Sequence, residues 1–134
     1  MKQKIIDACI DEYNINGLKF TLDDVSSRIK ISKKTIYKYY DSKQNILEDI
    51  IHAVFGSVHN NQIMIHKDDS LNLRDKLVNV LNCSTSLVNK IKLNNLEAFL
   101  KVYPDLYYLI MEKYETNWSI ATDLITQGLK QGVF

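Results

Sequence analysis

The sequence predicts an all-α protein in which an N-terminal three-helix unit is joined by a long fourth helix to a second helical region. The 134 residues include one proline and four glycines, so few positions interrupt regular structure. Apolar residues recur mostly three and four positions apart, as on one face of a helix, and no strand-like alternation persists. Hydroxyl residues that can cap helices precede several of these periodic stretches.

The first two helices follow from apolar spacing and from their end signals. The first is predicted over residues 3–15, and Gly17 supplies the left-handed residue that ends it. Its buried side would carry Ile5, Ile6, Cys9, Ile10 and Tyr13. Thr21, three residues before Asp24, has the form of a capping box, so a second short helix is predicted over residues 22–29.

A serine precedes each of the next two predicted helices. Ser32 is a candidate N-cap for a third helix over residues 33–40, and Ser42 is one for a fourth. The fourth carries apolar residues at helical spacing and is predicted over about residues 43–65. It is long enough to link two regions.

The polar residues 66–70 form the predicted domain boundary. Beyond them, apolar spacing predicts a fifth helix from Leu73 to Ile91 and a sixth over residues 95–102. Pro104 suits the first turn of a seventh helix, which lasts until Gly132.

Basic and aromatic residues are concentrated in one short segment. Residues 28–43 hold six basic residues and one aspartate, although the formal net charge of the whole chain is only +1. Two short helices with a tight link, the second capped by Ser32 and rich in lysine and tyrosine, have the layout of a helix-turn-helix. A local basic patch of this kind suits a polyanionic partner such as double-stranded DNA.

The third helix carries the candidate DNA contacts. Lysines can reach phosphates or guanine edges, a threonine can meet a phosphate or a thymine methyl, and tyrosines can donate to phosphate oxygens. Ile36 and Tyr40 are predicted to face inward. The candidates around them are Lys33, Lys34, Thr35, Tyr37, Lys38 and Tyr39, and the free N–H groups near Ser32 add an anion-binding end.

Other classes of site have little support in the residues. Cys9 and Cys83 are far apart and outside any metal-binding spacing, and no ordered nucleophile and base or glycine-rich phosphate loop is present. We therefore predict no catalytic site, no metal site and no cofactor. No stretch has the length of a bilayer span or the form of a signal peptide, so the expected location is the cytoplasm, without membrane contact.

Residues 5–51 resemble the DNA-binding domain of the TetR/AcrR transcriptional regulators, and "ISKKTIYKYYDSK", residues 31–43, is the strongest signature. The resemblance implies a homodimer that binds a palindromic DNA operator, usually represses transcription, and is released by a small-molecule effector. It also implies a DNA-binding domain over residues 1–48 and an effector and dimerisation domain over residues 66–134. Family members usually continue past the position of Phe134, so that second domain is expected to be incomplete.

The resemblance implies a role for individual residues. Thr35, Tyr37 and Lys38 match groove-facing positions, and Tyr39 matches a phosphate-contacting one. Lys43 matches a lysine that grips phosphate from the next helix, and Thr21 matches a capping threonine that can touch the DNA backbone. Two positions depart from the family pattern: Lys30 stands at the turn glycine, and Lys34 stands where a small residue is usual.

Two questions stay open at this level. The alternative function is a helical protein-interaction module of the same fold, whose basic patch binds an acidic protein surface rather than a specific operator. Several aromatic and methionine side chains could line an effector pocket, but the same spacing suits ordinary helix packing, so no ligand contacts are assigned. These residues are Phe99, Tyr103, Tyr107, Tyr108, Met111, Tyr114 and Trp118.

Overall fold

The fold is all-α, as predicted. The computed structural model describes residues 1–93 and 95–134, and this part of the chain contains helices but no strand. Its helices are α1 (Lys2–Asn16), α2 (Leu22–Ile29), α3 (Lys33–Tyr37), α4 (Lys43–His66), α5 (Leu73–Leu81), α6 (Ser86–Lys90), α7 (Leu96–Val102) and α8 (Pro104–Lys130), with a 3₁₀ turn at Gly17–Lys19. None of these helices is both long and apolar enough to cross a membrane.

The ends of α1 and α2 confirm the capping predictions. Gly17 ends α1 with a φ of 70°, a conformation that favours glycine. At the start of α2, the Asp24 N–H donates to Thr21 Oγ1 at 3.2 Å. The Thr21 N–H donates in turn to Asp24 Oδ2 at 2.9 Å, which completes the capping box.

A partly buried ion pair joins α1 to α2. Arg28 Nε donates to Glu12 Oε1 at 2.9 Å, and Asn16 Nδ2 donates to the other carboxylate oxygen of Glu12 at 3.1 Å. Glu12 is only 7% exposed, so its charge depends on these two partners. No local sequence pattern indicates this contact, because sixteen positions separate the two charged residues.

The link between α2 and α3 contains a strained lysine. Lys30 follows α2 in the left-handed conformation, with φ 56° and ψ 44°, and its N–H donates to the Ser26 carbonyl. This is the position where the resemblance implies a glycine. A side chain with a Cβ costs about 1–2 kcal/mol in this conformation.

We expect Lys30→Gly to raise the free energy of unfolding by about 0.5–1 kcal/mol. Removing the Cβ relieves the left-handed strain, and the greater freedom of glycine in the unfolded chain cancels part of that gain. Urea denaturation measures the change. Lys113→Gly, in the interior of α8, is the matched control and should lower stability by about 1 kcal/mol. A loss of stability in both variants would show that Lys30 is not strained.

The third helix is shorter than predicted. The sequence predicts it over residues 33–40, but α3 ends at Tyr37. The Lys38 N–H already bonds to the Thr35 carbonyl, a tighter i to i+3 contact. Tyr40 is 6% exposed, which confirms the prediction that it faces inward with Ile36. Its N–H still donates to the Ile36 carbonyl, four residues back, at 3.1 Å.

The predicted fifth helix is also wrong as a single element. The chain forms α5 and α6 instead, with a break over residues 82–85. Asn82 Nδ2 donates to the Val78 carbonyl at the end of α5, and Thr85 Oγ1 accepts from the Val88 N–H at the start of α6. These short polar side chains compete with helix continuation and end it, although the apolar spacing continues.

One apolar core runs through both predicted regions. It includes Ile5, Val25, Ile36 and Val54 from the N-terminal helices together with Phe99, Leu106 and Ile110 from α7 and α8. Helix α4 packs against α8, α5 and α6. The domain boundary at residues 66–70 stays a prediction.

A polar contact also ties the N-terminal helices to the later ones. The side chain of Asn14, on α1, donates to the Lys90 carbonyl at 2.7 Å and accepts from the Lys92 N–H at 3.0 Å. Both partners are backbone groups at the end of α6 and just beyond it. Movement of that segment would therefore act directly on α1 through these two hydrogen bonds.

Candidate nucleic-acid interface

Helix α3 is held as a short, exposed helix by the residues at its two ends. The Thr35 N–H donates to Ser32 Oγ at 3.1 Å, which confirms Ser32 as the N-cap. Ile36 is fully buried and anchors the inner face. The outer face, with Lys33, Lys34 and Tyr37, is exposed.

Most of the predicted contact residues lie on this exposed surface. Tyr37 is 51% exposed and Tyr39 is 41% exposed, a large exposure for aromatic side chains. Lys33, Lys34 and Lys38 are exposed as well. The structure thus brings three ammonium groups and two phenols onto a single short helix and the turn that follows it.

Three predicted residues of this surface use part of their hydrogen-bonding capacity within the protein. The hydroxyls of Ser32 and Thr35 lie 3.0 Å apart and share a hydrogen bond, and Thr35 is half-buried. Lys33 Nζ lies 3.2 Å from Asp23 Oδ1 on α2. An exposed ion pair of this kind is worth at most about 1 kcal/mol, so a phosphate can compete for the lysine.

Lys43 is placed differently from the other lysines. Its ammonium donates to the Leu18 and Phe20 carbonyls and lies 4.1 Å from the centre of the Phe20 ring. Burial is the main cause that lowers the pKa of Lys43 below its usual value. The phosphate contact implied by the resemblance stays a prediction, and it requires the ammonium to share or leave these carbonyls.

We expect Lys43→Met to lower the free energy of unfolding by about 1–3 kcal/mol, because two carbonyls lose their hydrogen-bond donor. Lys34→Met, on the exposed face, should change stability by less than about 0.5 kcal/mol. Urea denaturation of both variants tests this structural role, and equal stabilities would contradict it.

If Lys43 also contacts a phosphate, its replacement by methionine should flatten the dependence of log affinity on log salt by about 0.9. An unchanged slope would remove the phosphate assignment.

The turn after α3 is fixed by a contact that the sequence patterns do not indicate. Tyr40 Oη donates to Asp49 Oδ2 at 2.8 Å, and Lys2 Nζ lies 5.2 Å from the centre of the Tyr40 ring. Burial, followed by the hydrogen bond to Asp49, raises the pKa of Tyr40 to about 12, so the phenol stays a donor. The turn that presents Lys38 and Tyr39 is thereby tied to α4.

Comparisons with known proteins point to the same segment. Residues 5–50 match the family described as bacterial regulatory proteins, tetR family. The chain is 23% identical over 115 residues to the uncharacterized HTH-type transcriptional regulator YvaF of Bacillus subtilis, covering 86% of this chain and 60% of that protein. It is 37% identical over 71 residues to the biofilm operon icaADBC HTH-type negative transcriptional regulator IcaR of Staphylococcus aureus, covering 52% of this chain and 38% of that protein. No solved structure matches significantly.

The matched region contains every predicted contact residue, from Thr21 to Lys43. The chain spans about 60% of the length of the first of these relatives and less of the second. The comparisons therefore bear most directly on α1 to α4.

Proposed function

We propose that this chain, a member of the TetR family of bacterial regulatory proteins through its residues 5–50, binds a DNA operator and represses transcription. The observation that carries the proposal is the exposed face of α3, where Lys34, Tyr37 and Lys38 project beyond a buried Ile36. A short helix with this face fits the major groove and offers groups for phosphates and base edges. Repression, rather than activation, is supported by the name of IcaR as a negative regulator.

The proposal includes a homodimer on a palindromic operator. Two copies of α3 would read half-sites about 34–36 Å apart, or a multiple of that distance. Apolar side chains on α8 support self-association, since Trp118 is 56% exposed and Leu129 is 63% exposed. Lys34, in place of a small residue, would add a phosphate contact or alter base preference.

Release by a small molecule is the regulatory part of the proposal. Helix α4 begins beside α3 and packs against α5, α6 and α8. It is therefore suited to transmit a change from the later helices to α2 and α3, the predicted helix-turn-helix. An effector would change the distance between the two copies of α3 in the dimer. A dimer with the same separation, with and without its effector, would contradict this transmission.

A genome-wide pull-down of DNA bound by the folded protein tests the function. The proposal predicts that a small number of fragments are enriched and share a sequence containing an inverted repeat. The alternative, a helical interaction module, predicts weak and steeply salt-sensitive binding without a shared sequence. That second outcome would overturn the repressor proposal.

A further inference from the structure

A cavity of about 380 Å³ lies among α4, α5, α6 with residues 91–93, and α8. This volume is within the range of about 300–1,000 Å³ found for ligand sites. Its walls are largely apolar and include Phe55, Val80, Leu81, Val88, Ile91 and Trp118. Of the aromatic residues that the sequence singled out, Tyr114 and Trp118 lie in this wall, whereas Phe99 is buried in the core.

One polar side chain in the wall lacks a partner. Gln62, on α4, is 7% exposed, and its Oε1 has no hydrogen-bond partner among the described residues. Leaving a buried amide oxygen unpaired costs free energy, and buried polar groups in proteins are nearly always satisfied. Rotation of the terminal amide would let Gln62 offer either its oxygen or its N–H to a molecule in the cavity.

The wall also limits the charge of such a molecule. Its lining residues, as far as the structure describes them, include no aspartate, glutamate, lysine, arginine or histidine. An ionised group placed there would lose hydration without gaining a counter-charge. Apart from Gln62, the lining side chains with polar atoms are Cys83, Tyr114, Asn117 and Trp118, which add no charged residue to the wall.

We propose that this cavity binds an uncharged, largely apolar small molecule that carries one hydroxyl or amide group, which hydrogen-bonds to the side-chain amide of Gln62. The effect of such a molecule on DNA rests on the proposed function, whereas its binding does not.

A molecule in the cavity can act on the N-terminal helices in two ways, through α4 and through α1. Gln62 and Phe55 belong to α4, which begins next to α3. Val88 and Ile91 belong to the segment whose backbone, at Lys90 and Lys92, is held by Asn14 of α1. An occupant that displaces either wall therefore acts on a helix of the DNA-binding domain.

Three probes with one apolar body and different head groups test the assignment. They are 4-cyclohexylphenol, with a neutral hydroxyl, 4-cyclohexylanisole, an ether without a donor, and 4-cyclohexylbenzoate, an anion. Calorimetry gives the affinities, and the fluorescence of Trp118, the single tryptophan of the chain, reports occupation of the cavity. We expect the phenol to bind, the ether to bind about tenfold more weakly, and the benzoate to bind more weakly than either.

Gln62→Leu identifies the polar partner. The variant should bind the phenol and the ether with similar affinity, because the amide that distinguishes them is gone. Gln131→Leu, at an exposed position after α8, should keep the tenfold difference. Circular dichroism confirms that each variant is folded. A preference for the phenol that survives in Gln62→Leu, or binding of the benzoate as tight as that of the phenol, would overturn the assignment.

The inference and the proposed function fail separately. DNA binding without any probe tests the function alone. A folded chain that binds its operator but none of the neutral probes would overturn the cavity assignment and leave the repressor proposal standing. A chain that binds the phenol through Gln62 but selects no DNA sequence would support the cavity assignment and overturn the repressor proposal.

Discussion

Replacing Arg28 by methionine is expected to lower the free energy of unfolding by about 2–3 kcal/mol. The change removes the main partner of Glu12, a carboxylate that is 7% exposed. Breaking a buried pair costs about 3–5 kcal/mol, and the loss here is smaller because the Arg28 side chain is 34% exposed. Since the pair fixes α2 against α1, the position of α3 also depends on it. Thermal or urea unfolding measures the effect.

A surface ion pair provides the matched control for Arg28. Lys90 Nζ lies 3.1 Å from Asp7 Oδ1, and both side chains are more than 40% exposed. Lys90→Met should therefore cost less than about 1 kcal/mol. Adding Glu12→Gln to Arg28→Met should restore part of the lost stability, because the buried charge is removed. Equal losses of stability for Arg28→Met and Lys90→Met would show that the Glu12–Arg28 pair stabilises the fold no more than a surface pair does.

Replacing Lys38 by alanine is expected to relax the preference for one base pair of the operator. A lysine or arginine contact to a guanine edge discriminates by about 1–3 kcal/mol, or roughly 5-fold to 150-fold in affinity. Lys38 is exposed beside Tyr37, at the end of α3, where the resemblance implies a groove-facing residue. Affinities for an operator and for its single-base variants, measured at one salt concentration, give the discrimination.

Variants of two other lysines distinguish a contact to a base edge from a contact to phosphate. Lys130→Ala, at the far end of α8, should leave both affinity and base preference unchanged. Lys34→Ala should weaken all sequences about equally if Lys34 contacts a phosphate, and should flatten the salt slope by about 0.9. If Lys38→Ala instead weakens every sequence equally, Lys38 is a phosphate contact and its assignment to the groove is wrong.

Local signals in the sequence were sufficient to predict where several helices begin, including α2 and α3 of the predicted helix-turn-helix. The caps at Thr21, Ser32 and Ser42 lie where the hydroxyl residues predicted them, and Pro104 begins α8. Each of these depends on chemistry within three or four residues, which a single sequence displays directly. The left-handed Lys30 is equally local, although only the resemblance indicated that a glycine is usual there.

Contacts between distant positions were beyond such signals. The pairs of Glu12 with Arg28 and of Asn14 with the backbone near Lys90 join residues that the fold brings together, so spacing carries no trace of them. The resemblance implies only a phosphate contact for Lys43, and the structure turns its ammonium toward two carbonyls. The split between α5 and α6 was missed because apolar periodicity continues across it while hydrogen bonding does not.

Selection of bound fragments from random duplex DNA, at near-physiological salt, tests the central claim most directly. At this salt, nonspecific attraction to phosphates is suppressed, so enrichment reports base reading. The account predicts that the folded wild-type chain enriches a shared sequence, arranged as an inverted repeat, and that Lys38→Ala loses the preference at one position in each half. Absence of enrichment from a folded chain would contradict sequence-specific DNA binding by α3.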